Sequence, residues 1–370
     1  MRKKSIFIAA TGQNVGKTTL CLGIISGLKK RFSSVGFIKP IGQQHVRIDE
    51  TTNVDKDVIL FKKHFSLPEP WPTMSPVIIP SGFTRDFLDG KFSEESMLEK
   101  IQSSFGEIFH SNDYTIVEGT GHAGVGSIVN LSNAVVASKL GTDVILIASG
   151  GLGSAHDELA LNITLCQQQG VRVRGVILNR VLEEKRDMIL HYFPKSLKKW
   201  NIPLIGCVPY NKLLSQPTIQ DFANLFKTKL FSGEEYRYRH FQNMRLVADS
   251  VETYATTHSY NELIITPASR EEIILCNIEK HKASKNQEFA GGMILTGYTP
   301  PSPAIIEKIQ FLQIPALYAP VCSFDAMKLI TSFTSKIRTE DQLKVEKAIS
   351  IVEQHIDFNL LCCDSFYNHV

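Results

Sequence analysis

At 370 residues, the chain exceeds one ordinary domain of about 100 to 200 residues and is expected to form two. Hydrophobic residues make up 43% and charged residues 21%, with a formal charge of only +3. That excludes a dedicated nucleic-acid or membrane-surface binder, which would concentrate basic charge, and leaves small molecules as the expected partners.

The opening MRKKSIFIAATG sets apolar residues behind basic ones, as a signal peptide does. Its apolar run is short, however, and leads into glycines and a lysine rather than a small-residue cleavage site, so it reads as a buried first strand. No later run approaches the ~18 apolar residues that span a bilayer. Up to residue 225 the runs VGFIKPI, YTIVEG, DVILIAS, VRGVILN and PLIGCVP alternate with longer helical patterns. Strands apolar on both faces, separated by helices, make a parallel sheet with helices on both faces, which is the α/β class. Seven cysteines without a CxxC spacing support neither a disulfide framework nor a zinc site, and the cytoplasm is the expected location. Cys21, Cys166 and Cys207 fall in apolar segments, where free cysteine acts as a small hydrophobe.

Residues 226–258 lack such a run and are expected to be a linker or domain edge. YRYRH within them interleaves basic and aromatic residues, a pattern that stacks on nucleic acid or simply lies in a solvated connector. A second alternation then runs through ELIITPA, EEIILCNIEKH, GGMILTG, AIIEKIQFL and PALYAPV to the helical DAMKLITSF and EDQLKVEKAISIVEQHI. Residues 259–370 are therefore expected to be a second, smaller α/β domain.

The stretch IAATGQNVGKTTL, residues 8–20, follows the first strand. A phosphate-binding loop needs inward backbone N–H groups, glycines at tight bends, a lysine for the phosphates and a hydroxyl for magnesium. Gly12, Gly16, Lys17 and Thr18 meet that description, and Thr19 opens a helix. The candidate cradle is Gly12, Gln13, Asn14, Val15, Gly16, Lys17, Thr18 and Thr19. Thr11 stands where the usual spacing has its first glycine, which a loop one residue longer, starting from Ala10, accounts for.

Lys39 in FIKPIGQQ ends the second strand, where ligands collect in open α/β sheets; it is either a phosphate ligand or a surface lysine. Glu118 in YTIVEGTGHAGVGS ends another, either at magnesium or in a glycine-rich turn. Asn179 ends the strand GVILN, and Leu182 stands where a guanine reader would carry an acid, which favours adenine.

In order, ATGQNVGKTT, KPIGQQ, VEGTGHAG, ILNR and PLIGCVPY resemble the dethiobiotin synthetase family of P-loop proteins, over roughly residues 3–220. The resemblance is closest to the synthetase-like amino-terminal module of some bacterial phosphate acetyltransferases. The second domain resembles the DRTGG domain that accompanies that module. Their carboxyl-terminal acetyltransferase domain is not accommodated before Val370.

The resemblance implies a P-loop NTPase-like fold, ATP and Mg2+ as cofactors, and a homodimer. It implies Lys17 and Thr18 at the phosphates and magnesium, and Lys39 at the transferred phosphoryl group, so that Lys17 and Lys39 are the catalytic candidates. Glu118 and Asp57, with Asp55 as neighbour, join Thr18 as metal candidates; Asn179 reads adenine and Pro209 lies where the chain passes the base. Gln43 replaces the serine that usually contacts the diamine substrate, and Asn14 replaces an acid common in the loop. In the second domain Arg270, Thr296 and Gly297 follow the family pattern, whereas Ser269 and Tyr298 depart from it. Three readings remain: a free-standing nucleotide-dependent sensor whose second domain meets a protein partner, an ATP-dependent ligase or cyclase acting on a carbamate or carboxylate, and a scaffold with a degenerate loop.

Overall fold

The computed structural model describes residues 3–257, 260–283 and 291–363. The chain divides into two units. Residues up to 211 together with those from 337 onward form the first, and residues 212–336 form the second.

The first unit is built on six parallel strands, β1 (Lys4–Ala10), β2 (Val35–Ile38), β3 (Tyr114–His122), β4 (Val144–Ser149), β5 (Val173–Val181) and β6 (Leu204–Pro209), in the order β6-β5-β4-β1-β3-β2. Each of the six apolar runs became one of these strands. Successive strand residues point to opposite faces, so the unbroken burial of Ile6–Ala10, Val35–Ile38 and Val144–Ala148 shows that both faces are covered. The covering helices include α1 (Lys17–Lys29), α2 (Lys56–Phe65), α3 (Glu94–Ser111), α4 (Gly153–Gln168), α5 (Arg186–Leu197) and α6 (Gln342–His355). Helix α3 shows the local logic. Ser93 caps it by accepting from Ser96 N, and Met97, Ile101, Phe105 and Ile108 form its buried stripe.

Helix α6 departs from the expectation that residues 259–370 form one domain: it packs on α1 and belongs to the first unit. Two glycines four residues apart make room for it and for the short helix Phe358–Cys362 that follows. A Cβ on Gly23 would stand 2.3 Å from Val352 Cβ, and one on Gly27 would stand 2.0 Å from Phe358 Cζ. Val345, Ala348, Ile351 and Val352 are buried on the facing helix.

The second unit has five strands, β7 (Leu230–Ser232), β8 (Asn243–Leu246), β9 (Glu262–Pro267), β10 (Gly292–Thr296) and β11 (Ala316–Ala319), ordered β7-β11-β10-β9-β8. All neighbours are parallel except β7, which runs antiparallel to β11. One face packs Ile264, Met293 and Leu295 against Ile273 and Ile309; the other packs Ile265 and Ile294 against Phe222 and Ile330. The stretch 226–258, expected as a linker, supplies both outer strands. They are short, and β8 is largely exposed, so they lack the apolar run that marks a central strand. In YRYRH the Arg239 guanidinium lies 4.0 Å from the Tyr236 ring centre, an intramolecular cation–π contact.

Candidate functional site

Strand β1 ends at Ala10 and α1 begins at Lys17, which leaves residues 11–16 to form the turn. Thr11, in the position of the missing glycine, is buried: its N–H donates to the Ile147 carbonyl and its hydroxyl to Glu158 Oε2, each at 2.8 Å. The loop turns through left-handed backbone at Asn14 (φ 57°) and Gly16 (φ 101°). At Gly16 glycine is required twice, because a Cβ there would also stand 2.3 Å from Asn179 Nδ2. Gly12, Gln13 and Asn14 are accessible, Val15 is buried, and Lys17, Thr18 and Thr19 form the first turn of α1. The free N–H groups at that helix start make it a natural anion site.

The charged candidates gather beside the loop. Thr18 Oγ1 donates to Glu118 Oε1 at 3.2 Å, and Lys17 Nζ donates to the Gly121 carbonyl at 2.6 Å. Lys39 is buried and contacts Asp57, with Asp55 Oδ1 at 3.2 Å and Glu118 Oε1 at 3.5 Å. Burial opposes the Lys39 charge, but Asp57, Glu118 and Asp55 outweigh it and hold the ammonium well above the ordinary lysine range. For Lys17 burial wins and lowers its pKa, against the pull of Glu118. Burial also pushes the Glu118 carboxyl up to about 7, with Lys39 pulling down and Asp57 pushing up.

The hairpin of His45–Arg47 with Asn53–Asp55 delivers the two aspartates. Asp55 caps α2 by accepting from Asp57 N, and its other oxygen accepts from Gln43 N at 3.1 Å and Gln44 N at 3.2 Å. It therefore fixes both the Gln43 backbone and the helix start that carries Asp57.

Asn179 is buried on β5 and donates from Nδ2 to the Val15 carbonyl at 2.8 Å, which braces the loop. Pro209 ends the outer strand β6, three strands from β1 in the sheet. Two supporting residues gave no sequence signal. Asn133 holds the turn after β3, with Nδ2 on the Thr120 and His122 carbonyls at 2.7 Å and Oδ1 accepting from Thr120 N. Glu158 holds Thr11.

The oxygen donors suit magnesium. Glu118 Oε2 is buried without a hydrogen-bond partner among the described residues, and Thr18 Oγ1 lies against the same carboxylate. Among the described residues no group of three or more His, Cys, Asp and Glu side chains is arranged to hold a metal unaided.

The AAA domain family matches residues 4–218 and the DRTGG domain family residues 221–333. The phosphate acetyltransferase of Pseudomonas aeruginosa is 28% identical over 96% of this chain and 51% of its own length. The chain thus spans about half the length of the curated relatives it matches over most of its length. A probable cobyric acid synthase of Methanococcus maripaludis is 23% identical over 58% of this chain and 47% of its own. Among solved structures, the MinD cell division protein of Aquifex aeolicus is 18% identical, with a TM-score of 0.35, over 57% of this chain and 84% of its own.

Proposed function

Because the chain belongs to the AAA domain family over residues 4–218 and carries a DRTGG domain over residues 221–333, we propose that it is an ATP- and magnesium-binding regulatory module related to the amino-terminal half of phosphate acetyltransferases. One observation carries the reading: Lys17, Thr18, Lys39, Asp57 and Glu118, far apart in sequence, meet around one phosphate-type loop. A degenerate scaffold has no use for that set. The sensor reading gives the second unit the task of reporting the nucleotide state to a protein partner, and it carries the homodimer and the cytoplasmic setting with it.

In this account the backbone N–H groups of residues 12–18 take the phosphate oxygens, helped by the amino-terminal dipole of α1. Lys17 exchanges the Gly121 carbonyl for phosphate. Thr18, Glu118 and Asp57 would hold magnesium, which when bound neutralises phosphate charge. Lys39 then leaves the carboxylates for the terminal phosphoryl group. Asn179 gains a second task at the adenine edge, with Pro209 beside the base; the support is that Asn179 already touches the loop.

The presence of two lysines with two carboxylates also favours a second reading, an ATP-dependent ligase or cyclase that phosphorylates a carbamate or carboxylate, since phosphoryl transfer is largely positioning and charge neutralisation. The readings separate on ADP release from MgATP, measured alone and then with bicarbonate and 7,8-diaminopelargonate, beside Lys17→Ala. The sensor reading expects nucleotide binding with no stimulation by the added substrates. Stimulated turnover that vanishes in Lys17→Ala would replace it with the ligase reading.

A further inference from the structure

A cleft of about 570 Å3 opens along the edge strand β6, outside the loop and its charged cluster. Its walls are Leu204–Cys207, the first turns of α5, Arg31 after α1 and the turn 354–359. Gly206 sets its shape. A Cβ there would stand 2.4 Å from Ile356 Cδ1 and 2.8 Å from the His355 carbonyl oxygen, so glycine alone lets the carboxyl-terminal turn reach the strand. The turn makes one bridge, Gly206 to Ile356, anchored by Asp357 N donating to the Ile205 carbonyl at 2.9 Å, and then enters a short helix.

The lining is cationic. Arg31 and Arg186 reach it, and its one acidic side chain, Asp357, already accepts from Asn359 N at 2.9 Å and Leu360 N at 3.0 Å. Neither arginine forms an ion pair among the described residues. Arg31 is pre-positioned: its guanidinium lies 4.3 Å from the Phe358 ring centre and Nη1 donates to the Gly27 carbonyl at 2.8 Å, which leaves further donors of the fork for a ligand. Arg186 Nε is closed off from solvent and meets no acceptor among the described residues. A buried donor left in that state costs about 1–3 kcal/mol, and such a group calls for a specific explanation. Burial raises the thiol of Cys207 in the same wall, against the pull of Arg186, which disfavours its thiolate.

We propose that this cleft binds a small oxyanionic molecule, bearing phosphate or clustered carboxylates, between Arg31 and Arg186. The volume suits a metabolite, and a planar fork facing a multi-oxygen anion is the pairing for which arginine is best built. The proposal stands apart from the nucleotide reading and survives its failure.

The test is calorimetric titration of the full chain with pyrophosphate and, separately, citrate, for the wild type, Lys17→Ala, Arg186→Gln and Arg31→Lys. Amide hydrogen exchange at residues 204–207 and 354–359 locates the binding. The expected result is a site that survives Lys17→Ala, protects both segments and weakens at least about tenfold in Arg186→Gln, as loss of a charge-assisted contact requires. Arg31→Lys keeps the charge but loses the fork, so it should weaken binding too, and it serves if Arg186→Gln does not fold. The two probes separate phosphate from carboxylate ligands. No protection with either probe, binding lost in Lys17→Ala but kept in Arg186→Gln, or unchanged affinity in Arg31→Lys would overturn the proposal.

Discussion

Lys39 sits in the core because carboxylates surround it, with Asp57 in contact, Asp55 at 3.2 Å and Glu118 at 3.5 Å. Burying such a cluster is costly, and only mutual attraction offsets the desolvation. Remove the ammonium and the carboxylates are left to attract another cation. Lys39→Met should therefore raise the affinity of the nucleotide-free chain for Mn2+, a spectroscopic stand-in for magnesium, by at least about tenfold. Paramagnetic resonance of free manganese reads this directly, and unchanged or weaker binding would contradict the role given to Lys39. The sequence exposed Lys39 and Glu118 because each is a charge that closes an apolar run. The work of Asp55 on Gln43 N and Gln44 N stayed hidden, since those bonds appear only once the hairpin of residues 45–55 closes. Asn179 was legible as a strand-end amide, but its bond to the Val15 carbonyl joins residues 164 apart and leaves no local mark.

Among the elements, the six strands of the first sheet announced themselves as continuous apolar runs, whereas β7 and β8 did not. A parallel strand covered by helices on both faces must be apolar throughout; β8, with three of its four residues exposed, carries no such constraint. The docking of α6 and of the short helix after it did leave a trace. Gly23 and Gly27 sit inside a helix, where each costs about 1 kcal/mol relative to alanine, and that cost makes sense only if something packs close. Gly27→Leu should force Phe358 away and destabilise the first unit by roughly 1–3 kcal/mol through overpacking, seen as a lower urea midpoint; an unchanged midpoint would show that the contact is dispensable. In the second unit, burial first and Arg239 second lower the pKa of His281, on helix Glu271–Ala283, from 6.5 to about 4. Above pH 6.5 folded and unfolded states are both neutral there. Below it only the unfolded chain takes the proton, until the folded group titrates near 4, so stability falls as pH drops through that window. Amide protection factors in residues 271–281, with the intrinsic pH dependence of exchange divided out, should fall as pH drops from 6.5 to about 4, and His281→Leu should flatten the dependence; equal slopes in both proteins would remove His281 as the cause.

For the whole molecule, reading the sequence in a line hid that the first unit is discontinuous, returning at residue 337. An apolar helix stripe reports that something covers it, not which partner does. The α/β class of both units was legible, because alternating strands and helices admit few architectures. The similarity to phosphate acetyltransferases, 28% identity over 96% of this chain and about half of the relative's length, runs through both units. The proposed function has the first unit bind ATP with magnesium at the loop of residues 12–19. Calorimetric titration of MgATP into the full chain, wild type beside Lys17→Ala, tests it most directly. Saturable binding is expected in the wild type, disappearing in the variant and weakening when EDTA removes the magnesium. No binding in the wild type, or an unchanged titration in Lys17→Ala, would contradict it.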